Sequence, residues 1–199
     1  MKQPANAAAR IRSKLPDVGT TIFTVMTRLA VEHGAINLSQ GFPDFDVDGG
    51  LVDLVAEHMR QGRNQYAPMQ GVMPLRERIA EKARDLYGAS YDPAEEITIT
   101  SGATEALFAA IIAVVGRGDE AIVLEPAYDS YVPAIRLAGG VPVYCQLRYP
   151  DYSIDWNMVR DAVTPRTRLV ILNSPHNPTG AVLSAADLDA LTEIVSGTG

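Results

Sequence analysis

The sequence predicts an α/β fold: a mainly parallel sheet flanked by helices. Two observations carry that expectation. From residue 97 onward, short apolar or β-branched runs alternate with longer stretches of helical periodicity, the order that builds βαβ units. Within residues 97–116, ITITSGATEALFAAIIAVVG, the hydrophobic period changes part-way, from a four-residue run that favours a strand to apolar residues covering most of a helix circumference.

Taken in order, residues 1–16 are polar and alanine-rich and read as an arm rather than a packed element. Thr20 or Thr21 is placed to cap a helix over 22–33, which Gly34 stops. A brief extended piece at 36–38 leads into SQGFPDFDVDGG, where Gly41, Pro43, Gly49 and Gly50 argue against regular structure. A helix over 51–59 ends at Gly62. Pro74 opens another that runs to Tyr87, with Leu75, Ile79, Ala83 and Leu86 expected to face inward and Gly88 expected to end it. The strand at 97–100 feeds a helix over 105–115, expected to be buried against the sheet. Then come a strand at 120–124, a helix entered through EPAYDSY and ended near Gly139 and Gly140, a strand at 141–147, a helix over 155–163, a strand at 168–172 ending in NSPHNPTG, and a helix over 185–195.

Composition narrows the function classes. The 199 residues are 47% hydrophobic and 21% charged, values of an ordinary soluble globular protein. A net charge of −7, with no basic stripe, argues against nucleic acid or an anionic membrane as partner. Cys145 is the only cysteine, sits in the apolar run VPVYCQL and reads as a buried core thiol in a reducing compartment. The longest apolar stretch, 106–115, falls well short of the roughly 20 residues that span a bilayer. Cytoplasm is the expected location. His33, His58 and His176 show no metal-ligand spacing, and His33 and His58 read as helix-surface residues. Neither a P-loop, nor a G-x-G-x-x-G, nor a G-x-S-x-G elbow is present.

Three loops follow predicted strands: 101–104, 125–131 and 173–180. In a parallel sheet they share one end and can converge on one ligand. The first, Ser101-Gly102-Ala103-Thr104, either caps the helix or cradles an anion on its free N–H groups. The second offers Tyr128 and Tyr131, as stacking faces or as packing residues. The third offers the amides of Asn173 and Asn177, unless Asn177-Pro178 only begins a turn. Together they suit a phosphorylated aromatic cofactor, which needs anion donors, a stacking ring and a hydrogen bond to a ring substituent.

The ordered motifs INLSQGFPDF, NQYAPMQGVMPLRE, SGATEALFAA, EPAYDSY and NSPHNPTG resemble the N-terminal half of a fold-type I, pyridoxal-phosphate-dependent aminotransferase of class I/II, within it the methionine and kynurenine aminotransferase branch. The resemblance implies a large domain contributed by residues 47–199, incomplete as it stands, and an arm and small-domain segment over 1–46. It implies that Gly102, Ala103 and Thr104 cradle the cofactor phosphate, that Tyr128 stacks on the pyridine ring and that Asn177 hydrogen-bonds the ring's 3-oxygen. Gly41 is implied as a backbone contact to the substrate carboxylate. Tyr66 is implied as a contact to the cofactor phosphate of a neighbouring subunit, hence a homodimer with shared sites.

The implied activity is ping-pong aldimine chemistry carrying an amino group from a methionine-like or aromatic L-amino acid to a 2-oxo acid. Phe42, Phe45 and Tyr66 hint at an apolar or sulfur-accepting side-chain pocket. The family's ring-nitrogen aspartate with its neighbouring tyrosine, its Schiff-base lysine and its carboxylate-binding arginine have no counterpart up to Gly199. The lysines present, Lys2, Lys14 and Lys82, are not placed as activated amines, so no catalytic residue and no metal ligand is assigned. The resemblance also implies that further strands separate 97–100 from the later ones, and hence that these residues are one portion of a longer chain. Alternative readings are a carbon–sulfur lyase on the same cofactor loops, or an inactive fragment kept for dimerisation or regulation.

Overall fold

The computed structural model describes residues 12–41 and 43–197 and divides into two compact units, Thr21–Gly102 and Met1–Thr20 with Ala103–Gly199. The expected arm falls mostly, and Phe42 wholly, outside the described residues.

The first unit holds three helices, α1 (Ile22–Glu32), α2 (Gly49–Arg60) and α3 (Met73–Tyr87). Thr21 caps α1, its hydroxyl accepting the Thr24 N–H at 3.4 Å. Against expectation, Gly49 and Gly50 are helical. Asp48 caps α2 by accepting the N–H groups of Gly50 and Leu51 at 2.9 and 3.3 Å, and that capping outweighs the entropic cost of glycine in a first turn. Gly88 ends α3 in the left-handed region at φ 67°. The inward face expected of α3 is not buried: Leu75, Ile79 and Leu86 are exposed, because this unit contains no sheet for them to pack on. The buried residue of α3 is Arg76, whose Nη1 donates to the Ala94 carbonyl at 3.1 Å.

Residues 97–100 form no strand. A strand requires a partner strand, and here the Ile99 N–H instead donates to the Gln70 carbonyl at 3.0 Å. That approach makes Gly71 obligatory: at φ 91°, a Cβ there would lie 2.3 Å from Ile99 Cγ1.

The second unit is the α/β layer. It runs from α4 (Gly102–Val114) through β1 (Glu120–Glu125), α5 (Tyr131–Leu137), β2 (Val141–Gln146), α6 (Trp156–Ala162) and β3 (Thr167–Ile171) to α7 (Ala185–Ser196). The sheet is wholly parallel in the order β2-β1-β3. Central β1 is covered on both sides, and its side chains alternate between two cores. Ala121 and Val123 meet Ile111 and Val115 at the α4 end, with Tyr131, Ala134 and Ile135 of α5. Ile122 and Leu124 point the other way, onto Cys145, Val159 of α6 and Ile194 of α7. Cys145 is the buried thiol the sequence predicts. Helix α4 is buried only along the Ile111 stripe, with Phe108, Ile112 and Val114 exposed.

Polar pairs close the end of the layer where β1 begins. Glu120, buried at the start of β1, accepts the Thr164 hydroxyl at 2.5 Å and pairs with Arg166, and these contacts hold its carboxyl below the usual carboxylate range. Gly140 lets β2 leave α5 closely, since a Cβ there would stand 2.4 Å from Val115 Cγ1. Ile135 sits fully buried between α5 and β1, so Ile135→Ala should lower the unfolding free energy by about 2–5 kcal/mol in a denaturant titration.

Candidate active site

The chain leaves β1 and β3 toward opposite faces of the sheet. From β1 it passes to α5 on one face, and from β3 to α7 on the other. Because β1 and β3 are neighbours, their following loops diverge and open a crevice at the carboxyl ends, the position where open α/β sheets bind ligands. The loops flanking it are 126–130 and 172–184. They carry Tyr128 and Asn177.

The start of α4 reaches the same end. The Thr104 hydroxyl lies 3.4 Å from the Tyr128 hydroxyl, which ties the helix N-terminus to the loop after β1. Gly102 takes φ 79° with open space where a Cβ would stand, so the chain turns into α4 with room for a ligand beside it. The N–H groups in the first turn of a 13-residue helix face an anion with a favourable dipole, worth about 0.3–1 kcal/mol when exposed and more when sheltered. Ala103 and Thr104 are both exposed there. The donor set therefore fits a phosphate, and the half-buried Tyr128 ring fits an aromatic neighbour.

The two tyrosines of EPAYDSY separate in role. Tyr131 is buried in the α5 core, where burial pushes its phenol up, and it meets Tyr128 edge-on with ring centres 5.7 Å apart. It is a packing residue that supports the Tyr128 ring, not a second stacking face.

The loop after β3 is tied by its own groups. Asn173 Oδ1 accepts the Asn177 N–H at 2.6 Å. His176 donates its N–H to the Ala181 carbonyl at 2.7 Å and accepts the Gly180 N–H at 2.6 Å. Its ring is buried, with Nδ1 2.8 Å from Thr179 Oγ1, and burial pushes its pKa down. The Asn177 side chain stays exposed. Beside this loop, at the carboxyl ends of the strands, lies a cavity of about 270 Å³ lined in part by Leu124, Leu172, Asn173, His176 and Asp187. Asp187 is held by the Trp156 Nε1–H at 2.9 Å and by the Ser184 hydroxyl at 2.6 Å.

In the other unit, Gly41 and Tyr66 are exposed loop residues, and Phe45 is exposed as well. Lys14 and Lys82 are exposed, His33 follows the last turn of α1 and His58 lies on α2, both exposed. No helix of the described residues is long and apolar enough to cross a membrane.

The family model for aminotransferase class I and II matches residues 33–198. The chain belongs to this family. It is 54% identical over 186 residues to a methionine aminotransferase of Escherichia coli strain K12, covering 94% of this chain and 48% of that relative. It is 46% identical over 185 residues to a probable N-succinyldiaminopimelate aminotransferase of Mycobacterium tuberculosis, covering 92% of this chain and 46% of the relative. Among solved structures, an E. coli protein identified with a methionine aminotransferase function superposes with a TM-score of 0.90 at 53% identity, over 94% of this chain and 49% of that one. Aspartate aminotransferase from Thermus thermophilus with maleate superposes with a TM-score of 0.83 at 34% identity, over 94% and 51%. The fold is thus that of fold-type I aminotransferases, and the chain spans about half the length of the curated relatives it matches.

The sequence marks His176 only as lacking metal-ligand spacing and Asn173 only as a possible ligand amide, whereas in the fold both tie the loop after β3. The available signal was an imidazole between two prolines just after a buried strand, where a solvated histidine has little room. Because the folded state disfavours the charged ring, acidification through the usual histidine value of about 6.5 protonates the unfolded chain first. Unfolding free energy should therefore fall as pH drops below about 6.5, and more steeply for wild type than for His176→Asn, with the difference constant above that range. Unfolding titrations at pH 7.5 and 5.5 check this.

Proposed function

We propose that the full-length protein is a pyridoxal-phosphate-dependent aminotransferase that moves an amino group from a methionine-like or aromatic L-amino acid to a 2-oxo acid. The observation that carries the reading is the approach of the Thr104 hydroxyl, in the exposed first turn of α4, to the Tyr128 hydroxyl at the carboxyl end of the sheet, in a chain of this family. The 54% identity to a methionine aminotransferase supports the methionine-like choice.

In this reading the N–H groups of Ala103 and Thr104, with Gly102 making the turn, hold the phosphate. Tyr128, its ring braced edge-on by Tyr131, covers one face of the pyridine. The exposed Asn177 carboxamide donates to the 3-oxygen. When bound, the cofactor supplies the aldehyde that takes up the amino group and the ring that draws electrons from the substrate's α-carbon. The Gly41 backbone orients the substrate carboxylate, and Tyr66 serves the phosphate of a second subunit in a homodimer. Residues 47–199 contribute to the cofactor-binding domain and 1–46 to an arm and small domain. In the full-length protein the α-proton would be moved by a lysine other than Lys14 and Lys82, both of which are exposed. The cytoplasm is the compartment proposed.

The test is to load the full-length protein with pyridoxal phosphate, supply methionine and a 2-oxo acid, and quantify both amino acids. Formation of the new amino acid in step with loss of methionine is expected. Release of ammonia or thiol without transfer would contradict the proposal. Tyr128→Ala should weaken cofactor binding roughly tenfold, read by equilibrium titration of the cofactor's absorbance.

A further inference from the structure

Asn177 sits in a turn whose stiffness does not come from regular secondary structure. Residues 172–184 form neither helix nor strand, yet the turn is closed at several points. The His176 N–H and carbonyl are bonded to Ala181 and Gly180, and the Asn177 N–H is bonded to Asn173 Oδ1. The remaining tie is a side-chain one. The imidazole of His176, only 8% exposed, places Nδ1 2.8 Å from Thr179 Oγ1. Thr179 Oγ1 also accepts the Ala181 N–H at 3.3 Å, so one hydroxyl ties the imidazole to the backbone on the far side of the turn.

Burying an imidazole is costly unless it is hydrogen-bonded, and here the bond that offsets the cost is the one to Thr179 within the turn. The fastened atoms flank Asn177 on both sides, whereas the Asn177 carboxamide makes no hydrogen bond among the described residues. The turn thus holds the backbone of Asn177 and leaves its side chain available. A hydrogen bond to a ligand is stronger when the donor is already ordered, because less rotational freedom is lost on binding.

We propose that His176 is a positioning residue for Asn177: through its bond to Thr179 it fixes the 176–181 turn that presents the Asn177 carboxamide to the cofactor's 3-oxygen. This rests on the reading of the site given above. His176 itself touches neither cofactor nor substrate in this role.

The experiment uses full-length protein loaded with pyridoxal phosphate, with two readouts: the cofactor's dissociation constant, and the pH midpoint of its absorption band. A donor to the 3-oxygen stabilises the oxyanion, so its loss raises that midpoint. Asn177→Ala should raise the midpoint and weaken binding. His176→Ala and Thr179→Val should move both readouts the same way, with binding weakened roughly three- to tenfold. Each should add little to Asn177→Ala in a double variant, because the effect runs through that side chain. His176→Asn, which keeps a polar group able to bond the Thr179 hydroxyl, should restore most of both.

A merely structural histidine would lower the melting temperature and leave the absorption midpoint in place. If Asn177→Ala shifts the midpoint while folded His176→Ala and Thr179→Val keep wild-type values, the inference is overturned and the proposed function stands. Should His176→Ala fail to fold, Thr179→Val alone decides. If the wild-type protein takes up no pyridoxal phosphate, the proposed function falls, and the inference with it.

Discussion

Strand β1 is the constraint on which the α/β layer depends. Its residues 121–124 are buried on both faces, and its alternating side chains seed two separate cores. A strand of this kind requires helices on each side, and right-handed crossovers provide them: α5 carries the chain from β1 to β2 over one face, and α6 carries it from β2 back to β3 over the other. The reversal in direction around β1 forces the loops after β1 and β3 apart. The crevice is a consequence of how the core is filled, before any ligand is considered.

What stands at that crevice follows from local chemistry. A helix has no partners within itself for its first N–H groups, and the small residues Gly102, Ala103 and Thr104 leave the start of α4 without bulky cover. An aromatic residue near the start of α5 can serve the core or the crevice, and EPAYDSY supplies one for each. Tyr131 fills the core and Tyr128 lies against Thr104. The 173–181 turn meets its polar needs internally, through Asn173, His176 and Thr179. The three pieces of the site therefore rest on different physics: an exposed helix start, an edge-on aromatic pair and a buried hydrogen-bonded imidazole.

The sequence made the elements of the α/β layer readable because each carries a local signal. Asp155 and Ser184 precede α6 and α7 and cap them as their residue types suggest, and the short apolar runs became β1, β2 and β3 within about a residue of their expected limits. Features that depend on distant partners were not readable. The β-branched run at 97–100 has strand propensity, but a strand exists only when another strand accepts its hydrogen bonds. The apolar stripe of α3 is real, but burial needs a covering layer. Asp48 overrode two glycines through a cap that a count of Gly and Pro does not weigh. At the site, residue type alone did not separate Tyr128 from Tyr131, nor reveal that His176 is buried, because both facts are set by the tertiary packing of the loop.

The proposed seat of the cofactor is the start of α4 together with Tyr128. The most direct measurement is a crystal structure of the full-length protein grown with pyridoxal phosphate. Phosphate oxygens are expected within hydrogen-bond distance of the Ala103 and Thr104 N–H groups, with the pyridine ring stacked on Tyr128. A phosphate bound elsewhere, with the first turn of α4 facing only solvent or protein, would contradict it.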